Sequence, residues 1–310
     1  MRYVQITGKL ASSVIQAQPE LLPAGHVRVA VAYVGVCHTD IAAVAEGDGN
    51  FPRRMGHEVS GVVIESTAAT LPAGTRVAAH VDDGYATEII VPVERTVVLH
   101  PDCSLLDGAL AEPTACVIGG LEMLTFREYP RIVLVGAGFM GLLALRYLTA
   151  IGHRVLVIEP RIIARELACQ WGADAVIHPD EVDHGMRRSQ PIVLEATGNA
   201  SGLDLASELV GTDGTLGVLG YHQSNGGKRS VDMQGWNFRA MRVVSLHNRR
   251  VEHILTWMDR AQRSAALGFI RPGHLVDAQV NLDELADVLV RKPNDHIIKT
   301  VLCPDGDRKL

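Results

Sequence analysis

Short runs with alternating hydrophobic positions dominate the first third of the chain. Valines recur at every second position in much of HVRVAVAYVGVC (26–37), and similar valine-rich runs follow at 58–66, 75–81 and 87–99. Glycine, proline and aspartate separate these runs. Alternation with a period of two is typical of β-strands that bury one face. The pattern therefore predicts an all-β unit over the first third of the sequence.

After Pro113 the pattern changes to apolar strands that alternate with helical stretches. Predicted strands at 131–135 and 154–159 each precede a helical stretch, and the alternation continues to about residue 247. This order predicts right-handed βαβ units and a parallel sheet covered on both faces. The fold class is therefore α/β, with a β domain and a doubly wound parallel-sheet domain.

The tail from about Leu255 carries two helical segments, a turn at Pro272-Gly273 and a closing strand at 296–302. Its periodicity alone does not assign the tail to either domain.

Composition and charge exclude several classes of protein. The chain has 310 residues, 47% of them hydrophobic, with a net charge of -6, so it can bury a large core and supplies no basic surface for nucleic acid. The N-terminus has no apolar segment followed by a cleavage site, which makes the cytoplasm the expected location. The longest apolar run, between Arg131 and Arg146, is too short to cross a membrane.

The five cysteines are scattered and contain no C-x-x-C pair. This argues against a disulfide framework and against a structural zinc knuckle. Any metal site must therefore be assembled from distant positions.

A glycine-rich loop at Gly136-Ala137-Gly138-Phe139-Met140-Gly141 directly follows a predicted strand and opens a helix. In this context the G-x-G-x-x-G pattern predicts a dinucleotide site. Gly136 permits the tight turn, Gly138 lets the backbone approach a pyrophosphate, and Gly141 lets helix and strand pack closely.

The next predicted strand ends at Glu159, about 20 residues beyond the loop. A carboxylate there accepts hydrogen bonds from the adenosine ribose and repels a 2′-phosphate, so the sequence favours NAD over NADP. Arg161 partly offsets this repulsion. The alternative is that the glycines only tighten a turn and that Glu159 is a solvated strand end.

Two short polar segments carry residues that bind metals. Cys37-His38-Thr39-Asp40 follows a predicted strand, and His57-Glu58 comes about 20 residues later. Taken singly, a buried cysteine is usually an apolar core residue. A thiolate nucleophile with His38 as its base is disfavoured, because neighbouring residues on a strand point to opposite faces.

Taken together, GVCHTD (35–40), GHE (56–58) and the later glycine-rich loop resemble the zinc-dependent medium-chain alcohol and polyol dehydrogenases. GYATE (84–88), ATGN (196–199) and the closing HIIKTVL also resemble landmarks of this family, so the resemblance covers nearly the whole chain. It implies a GroES-like catalytic domain over 1–113, completed by 254–310, and a Rossmann NAD-binding domain over 114–253. By analogy it also implies a homo-oligomer, either a dimer or a tetramer.

The resemblance implies that Cys37 and His57 bind a catalytic zinc. Such a zinc takes three protein ligands and leaves one position open. Glu112 stands where the family places an acidic or cysteine ligand, and Glu58 is a competing or exchanging ligand. The alternative for Glu112 is a carboxylate that only stabilises a helix N-terminus.

The resemblance also assigns residues to proton transfer and to the cofactor. Asp40 would orient His57, and Thr39 would hand on the substrate proton. His38 would approach the cofactor pyrophosphate, and Thr197 in the ATGN turn would lie at the cofactor.

Two departures from the family pattern change the expected site. The four-cysteine run that forms a structural zinc lobe is lacking, so we expect one zinc per chain. Ala42 stands where many relatives carry a relay histidine, which leaves the proton path beyond Thr39 open.

The predicted reaction is hydride transfer between an alcohol and NAD(P), with zinc as the Lewis acid. The segment at 220–250 resembles members that act on polyols, cyclitols or amino sugars, although its Trp236 and Phe238 could equally serve packing. Two alternatives stay open: a zinc-free enone or quinone reductase, and a non-catalytic NAD-binding protein.

Overall fold

The computed structural model describes residues 1–47, 49–125, 131–291, 296–304 and 306. The chain divides into two compact units: one comprises 1–115 with 250–310, and the other comprises 116–249. None of the helices in the described ranges has the length and apolar character needed to cross a membrane.

Strands and helices follow one another along the described chain in an order typical of an α/β protein. The strands are β1 (Arg2–Gly8), β2 (Ala11–Gln16), β3 (His26–Gly35), β4 (Glu58–Ser66), β5 (Arg76–Ala79), β6 (Glu88–Pro92), β7 (Thr96–Val98), β8 (Ile132–Val135), β9 (Val155–Ile158), β10 (Ala175–Ile177), β11 (Gln190–Glu195), β12 (Val210–Val218), β13 (Arg242–Ser245), β14 (Ala278–Val280) and β15 (Thr300–Leu302). The helices are α1 (His38–Glu46), α2 (Leu105–Ala109), α3 (Ala111–Leu121), α4 (Phe139–Ala150), α5 (Ile162–Gln170), α6 (Ala200–Leu209), α7 (Met233–Phe238), α8 (Val251–Ala266) and α9 (Leu282–Val288).

The first unit is built around strand β3, which pairs antiparallel with β4, β6 and β15. Its alternating valines lie in a core shared with β4 and β6, as the period-two pattern predicted. Gly35 at the end of β3 is the partner of Glu58 on β4 and of Val301 on β15. The residues that follow β3 therefore lie beside those that precede β4 and β15.

Helix α1 interrupts the β-rich region, so the prediction of an all-β first third was wrong here. Cys37 has an extended backbone (φ -82°, ψ 138°) and precedes the first residue of the helix. The sequence that follows is rich in alanine, a strong helix former, and Gly47 ends the helix in the left-handed conformation at φ 77°. The valine alternation stops just before this segment, which is the signal that the strand has ended.

The second unit contains a six-stranded parallel sheet in the order β10-β9-β8-β11-β12-β13. The chain runs outward from β8 to β10, returns to the other side of β8, and runs outward again to β13. Strands β8 and β9 are buried along their full lengths. This arrangement confirms the doubly wound parallel sheet predicted from the sequence.

The tail, which periodicity left unassigned, belongs to the first unit. Strand β15 pairs with β3, and Leu282, Leu285 and Leu289 of the α9 region are buried in the same core as Val4 and Ile6.

Candidate metal and dinucleotide sites

Three potential metal ligands meet at the end of strand β3. The pairing of β3 with β4 brings Cys37 next to His57, and Glu58 is the first residue of β4. One possible ligand atom from each of these residues lies within 4.8 Å of the other two. Residues 20 positions apart in sequence thus form a set with the thiolate, imidazole and carboxylate groups that bind zinc.

Cys37 occupies the N-cap position of helix α1. The Thr39 hydroxyl donates a hydrogen bond of 2.9 Å to its Sγ atom. The positive end of the helix dipole lies at this position, an environment suited to an anionic metal ligand. Thr39 is therefore placed at the sulfur, and its role in proton transfer stays a prediction.

His57 is oriented from behind by a buried pair of residues. Its Nδ1 lies 3.6 Å from Oδ1 of Asp40, and the Tyr85 hydroxyl donates a hydrogen bond of 2.6 Å to Oδ2 of Asp40. Burial raises the pKa of Asp40, although His57 and Tyr85 act in the opposite direction. Contacts of this kind fix the ring of a metal-binding histidine.

Tyr85 was not singled out as a site residue from the sequence, although the GYATE motif contains it. It is almost fully buried, and its ring and backbone pack against Gly56, the residue before His57. A Cβ atom at Gly56 would lie 2.8 Å from the Tyr85 ring, and Gly56 has φ +103°. Glycine is thus required there, both by the conformation and by the approach of Tyr85.

Replacing Tyr85 by phenylalanine is expected to weaken zinc binding about 10-fold, because Asp40 loses the donor that holds it towards His57. Competition with a chromogenic chelator measures the change. Tyr3→Phe, in the same unit but stacked under Arg54, is the matched control and should leave zinc affinity unaltered. Equal affinities for the wild type and Tyr85→Phe would mean that Asp40 is held without this hydroxyl.

The charge around His57 favours binding of a cation. Burial lowers the pKa of His57, but the hydrogen bond that the ring donates to Cys37 and the negative charges of Cys37, Asp40 and Glu112 outweigh it and raise the pKa to about 11. In the metal-free protein a proton thus balances an excess of negative charge. A divalent cation can take the place of that proton, so the residues present fit a zinc ion.

Glu58 forms a buried ion pair with Lys299, which directly precedes strand β15. The Lys299 ammonium lies 2.6 Å from Oε2 and 2.8 Å from Oε1 of Glu58, and it also donates to the Val36 carbonyl at 3.2 Å. Oε2 is buried and, despite this proximity, accepts no hydrogen bond of normal geometry. In the metal-free protein this carboxylate is therefore balanced by the Lys299 ammonium, which a metal ion would have to compete with.

Glu112 lies near this set, without belonging to the three-residue group. It is the second residue of α3 and is 7% exposed, and its charge is among those that raise the pKa of His57. The geometry brings Glu58 closest to Cys37 and His57, but the choice of Glu58 or Glu112 as third ligand stays a prediction.

The glycine-rich loop has the shape that a pyrophosphate requires. Gly136 has φ +99°, and a Cβ atom on Gly141 would collide with the Gly136 carbonyl. Gly138 is the N-cap of α4. If it carried a Cβ atom, the nearest neighbouring atom would be a guanidinium nitrogen of Arg161 at 3.7 Å. Phe139 and Met140 begin α4, and the only described atom near a Cβ at Gly138 is the end of a flexible arginine, so a phosphate could approach this helix N-terminus.

Glu159 directly follows strand β9 and faces this loop. Its Oε2 accepts a hydrogen bond of 2.7 Å from the Ala137 N–H, and its Oε1 accepts one of 2.8 Å from Nε of Arg161. Burial alone would raise the pKa of Glu159, but the hydrogen bonds from Arg161 and Ala137 outweigh it and lower the pKa. The carboxylate is therefore ionised, and Arg161 already partly balances its charge.

Thr197 lies beside the glycine turn, and its place at the cofactor stays a prediction. Its Cγ2 atom would be 2.7 Å from a Cβ on Gly136, and its N–H and hydroxyl both donate to Oε1 of the buried Glu195. The ring of His222, a residue without a predicted role, lies 3.0 Å from Oε2 of Glu195. His38 is exposed on the first turn of α1, and its role at the pyrophosphate stays a prediction.

Comparison with known families gives two matches along the chain. The family model described as alcohol dehydrogenase GroES-like domain matches residues 23–89, and the one described as zinc-binding dehydrogenase matches residues 140–270. The first contains Cys37 and His57, and the second begins inside the glycine-rich loop.

Curated relatives and solved structures agree with these matches. Galactitol 1-phosphate 5-dehydrogenase of Escherichia coli K12 is 25% identical over 251 residues, covering 68% of this chain and 72% of the relative. D-altritol 5-dehydrogenase of Agrobacterium fabrum is 26% identical over 88% of this chain and 90% of the relative.

A structure described as a zinc-binding dehydrogenase of Sinorhizobium meliloti, bound to NADP, has the same fold: its TM-score is 0.86 at 23% identity, with 98% of this chain and 99% of that one covered. The chain therefore belongs to the zinc-dependent medium-chain alcohol dehydrogenases, which oxidise CH–OH groups with NAD(P).

Proposed function

We propose that this enzyme interconverts a secondary alcohol of a polyol and the corresponding ketone, with NAD as cofactor and one zinc held by Cys37, His57 and a carboxylate. The observation that carries the proposal is the convergence of Cys37, His57 and Glu58 within 4.8 Å in a site with excess negative charge. A structural role alone would not require a thiol, an imidazole and a carboxylate to face one another.

Cys37, His57 and a carboxylate would hold a zinc ion that would supply Lewis acidity to the alcohol oxygen, and the dinucleotide site would hold the hydride acceptor. The residues of the chain hold these groups and move the proton. The Thr39 hydroxyl, 2.9 Å from Sγ of Cys37, is the nearest candidate to receive the substrate proton. Because Ala42 carries no group that can transfer a proton, the path beyond Thr39 must use other groups.

We propose NAD as the preferred cofactor. The ionised Glu159 lies next to the phosphate loop, where it can accept hydrogen bonds from a ribose diol. Arg161 forms an ion pair with Glu159 and is the side chain nearest to a Cβ at Gly138. Its positive charge partly offsets the repulsion between Glu159 and a 2′-phosphate, so NADP is used less well rather than excluded.

Cys37 must remain reduced to bind zinc, which favours a cytoplasmic location for the protein.

Polyols are the proposed substrate class, because the two curated relatives described above act at carbon 5 of a galactitol phosphate and of altritol. Cyclitols and amino sugars present similar secondary alcohols and belong in the same panel. The site itself contributes the metal ligands and Thr39, which act on any alcohol.

The test is a panel of polyols, cyclitols, amino sugars and simple alcohols with NAD+ and NADP+, followed by absorbance of the reduced nicotinamide. We expect oxidation of at least one polyol, a higher kcat/KM with NAD+ than with NADP+, and one zinc per chain by elemental analysis. Zinc content near zero in carefully prepared protein, or no oxidation of any alcohol, would refute the proposal. Equal or better rates with NADP+ would refute the role of Glu159.

A further inference from the structure

The carboxyl ends of strands β12 and β13 bring three side chains with binding capacity together. The two strands pair in parallel, with Val218 opposite Ser245, so the residues that follow them lie side by side. The Tyr221 and His247 rings are 5.6 Å apart and edge-to-face, and the Arg249 guanidinium lies 5.3 Å from the centre of the Tyr221 ring. Tyr221 and Arg249 are exposed.

The ionisable side chains next to this cluster, at the same edge of the sheet, form hydrogen bonds with one another. His222 Nδ1 accepts a hydrogen bond from Nε of Arg229, because an arginine can only donate. His222 Nε2 therefore carries the proton and donates to Glu195 at 3.0 Å. Glu195 has no exposed surface and accepts further hydrogen bonds from Thr197 and Gly198. This network holds the two turns in place and leaves none of its charges for a ligand.

Arg249, unlike the side chains of this network, has its charged group available to a ligand. No ion pair joins it to a carboxylate in the described part of the chain, and its contact with the Tyr221 face orients the planar guanidinium without using its N–H groups. Burial lowers the pKa of His247, and the positive charge of Arg249 lowers it further, so His247 is neutral at pH 7. The exposed face of this cluster thus carries one uncompensated positive charge.

The position of the cluster in the sheet indicates what it meets. A dinucleotide lies across the carboxyl edge of a doubly wound sheet, at the point where the strand order reverses. Glu159 and the glycine-rich loop follow β9 and β8, which places the adenosine half on that side of the reversal. Strands β11, β12 and β13 lie on the other side, which is left for the reacting half and the substrate.

We propose that Arg249, stacked on Tyr221, binds an anionic group of the substrate, so that the preferred substrate is a polyol that carries a phosphate or a carboxylate. This inference rests on the proposed function. A guanidinium binds either anion through two parallel N–H···O bonds, which suits a phosphate and a carboxylate alike. The 2′-phosphate of NADP is not the occupant, because the adenosine half lies beyond the reversal point, near Glu159.

Calorimetry on the zinc-loaded protein with NADH present tests the inference without requiring turnover. The probes share one carbon skeleton: galactitol is neutral, galactonate carries a carboxylate and galactitol 1-phosphate carries a phosphate. We expect at least one anionic probe to bind more tightly than galactitol. Arg249→Gln should weaken binding of that probe by roughly 10- to 100-fold, while leaving galactitol unchanged. Arg242→Gln, an exposed arginine at the opposite end of β13, is the matched control and should change neither.

The two anionic probes separate the two sources of negative charge, since preference for one of them identifies the group that Arg249 recognises. Galactitol binding as tightly as both anions would overturn the inference, and so would an equal loss for all three probes in Arg249→Gln. Arg249→Lys, which keeps the charge without the planar fork, should recover only part of the affinity. If the anionic probe binds through Arg249 but no alcohol is oxidised, the proposed function fails and the anion site remains.

Discussion

Cys37→Ser is expected to abolish measurable alcohol oxidation and to weaken zinc binding by at least about 100-fold, since loss of an outer hydrogen-bond partner alone costs about 10–100-fold. Cys37 supplies the only sulfur of the group formed with His57 and Glu58 among the described residues. A serine hydroxyl there is a much poorer zinc ligand than a thiolate. Elemental analysis after gel filtration measures the zinc, and nicotinamide absorbance measures the activity.

The matched control is Cys169→Ser, at an exposed free cysteine on α5 in the other unit. It should keep one zinc per chain and full activity. Cys37→Ser should still bind NADH, because Gly136, Gly138 and Glu159 belong to a unit that does not include the metal ligands. Full zinc content and full activity in Cys37→Ser would contradict the assigned site and would favour the zinc-free reductase alternative.

The parts of this site that could be predicted from sequence are those set by local chain geometry. The loop from Gly136 to Gly141 needs a strand before it and a helix after it, and both are visible in the spacing of apolar residues. The confirmed parallel sheet follows from the same spacing. Family resemblance then joined Cys37 to His57, which periodicity alone could not have done.

The parts that sequence reasoning missed depend on pairing between distant segments. Tyr85 reaches Asp40 across 45 positions, and Lys299 reaches Glu58 across 241. Lys299 and Glu58 meet because β15 and β4 both pair with β3. Neither side chain lies in a pattern that marks it as part of a metal site. Helix α1 was missed for a different reason, since it is short and lies between valine-rich strands that dominate the pattern of this region.

Lys299→Met is expected to destabilise the metal-free protein by about 3–5 kcal/mol, because it leaves the Glu58 carboxylate buried without its partner. Both side chains are at most 5% exposed, so water cannot replace the lost ammonium. Denaturant unfolding of chelator-treated protein measures the change. Arg154→Met, which removes an ion pair with Asp174 at the surface, is the control and should have little effect.

Adding Glu58→Gln to Lys299→Met should restore most of the lost stability, since the double variant no longer buries an unpaired charge. A double variant as unstable as Lys299→Met would show that Lys299 stabilises the fold by packing, and not through Glu58.

The stability of Lys299→Met also helps to identify the third zinc ligand. In Lys299→Met the Glu58 carboxylate no longer has an ammonium beside it, and a bound zinc ion is the remaining charge that can balance it.

Zinc should therefore stabilise Lys299→Met by more than it stabilises the wild type, because a ligand raises stability in proportion to the logarithm of its affinity for the folded state. If zinc adds the same increment to both proteins, Glu58 does not contribute to the metal, and Glu112 is left as the carboxylate ligand. If the increment is larger in the variant, Lys299 and zinc compete for Glu58. The ion pair would then set how readily this carboxylate joins Cys37 and His57 at the metal.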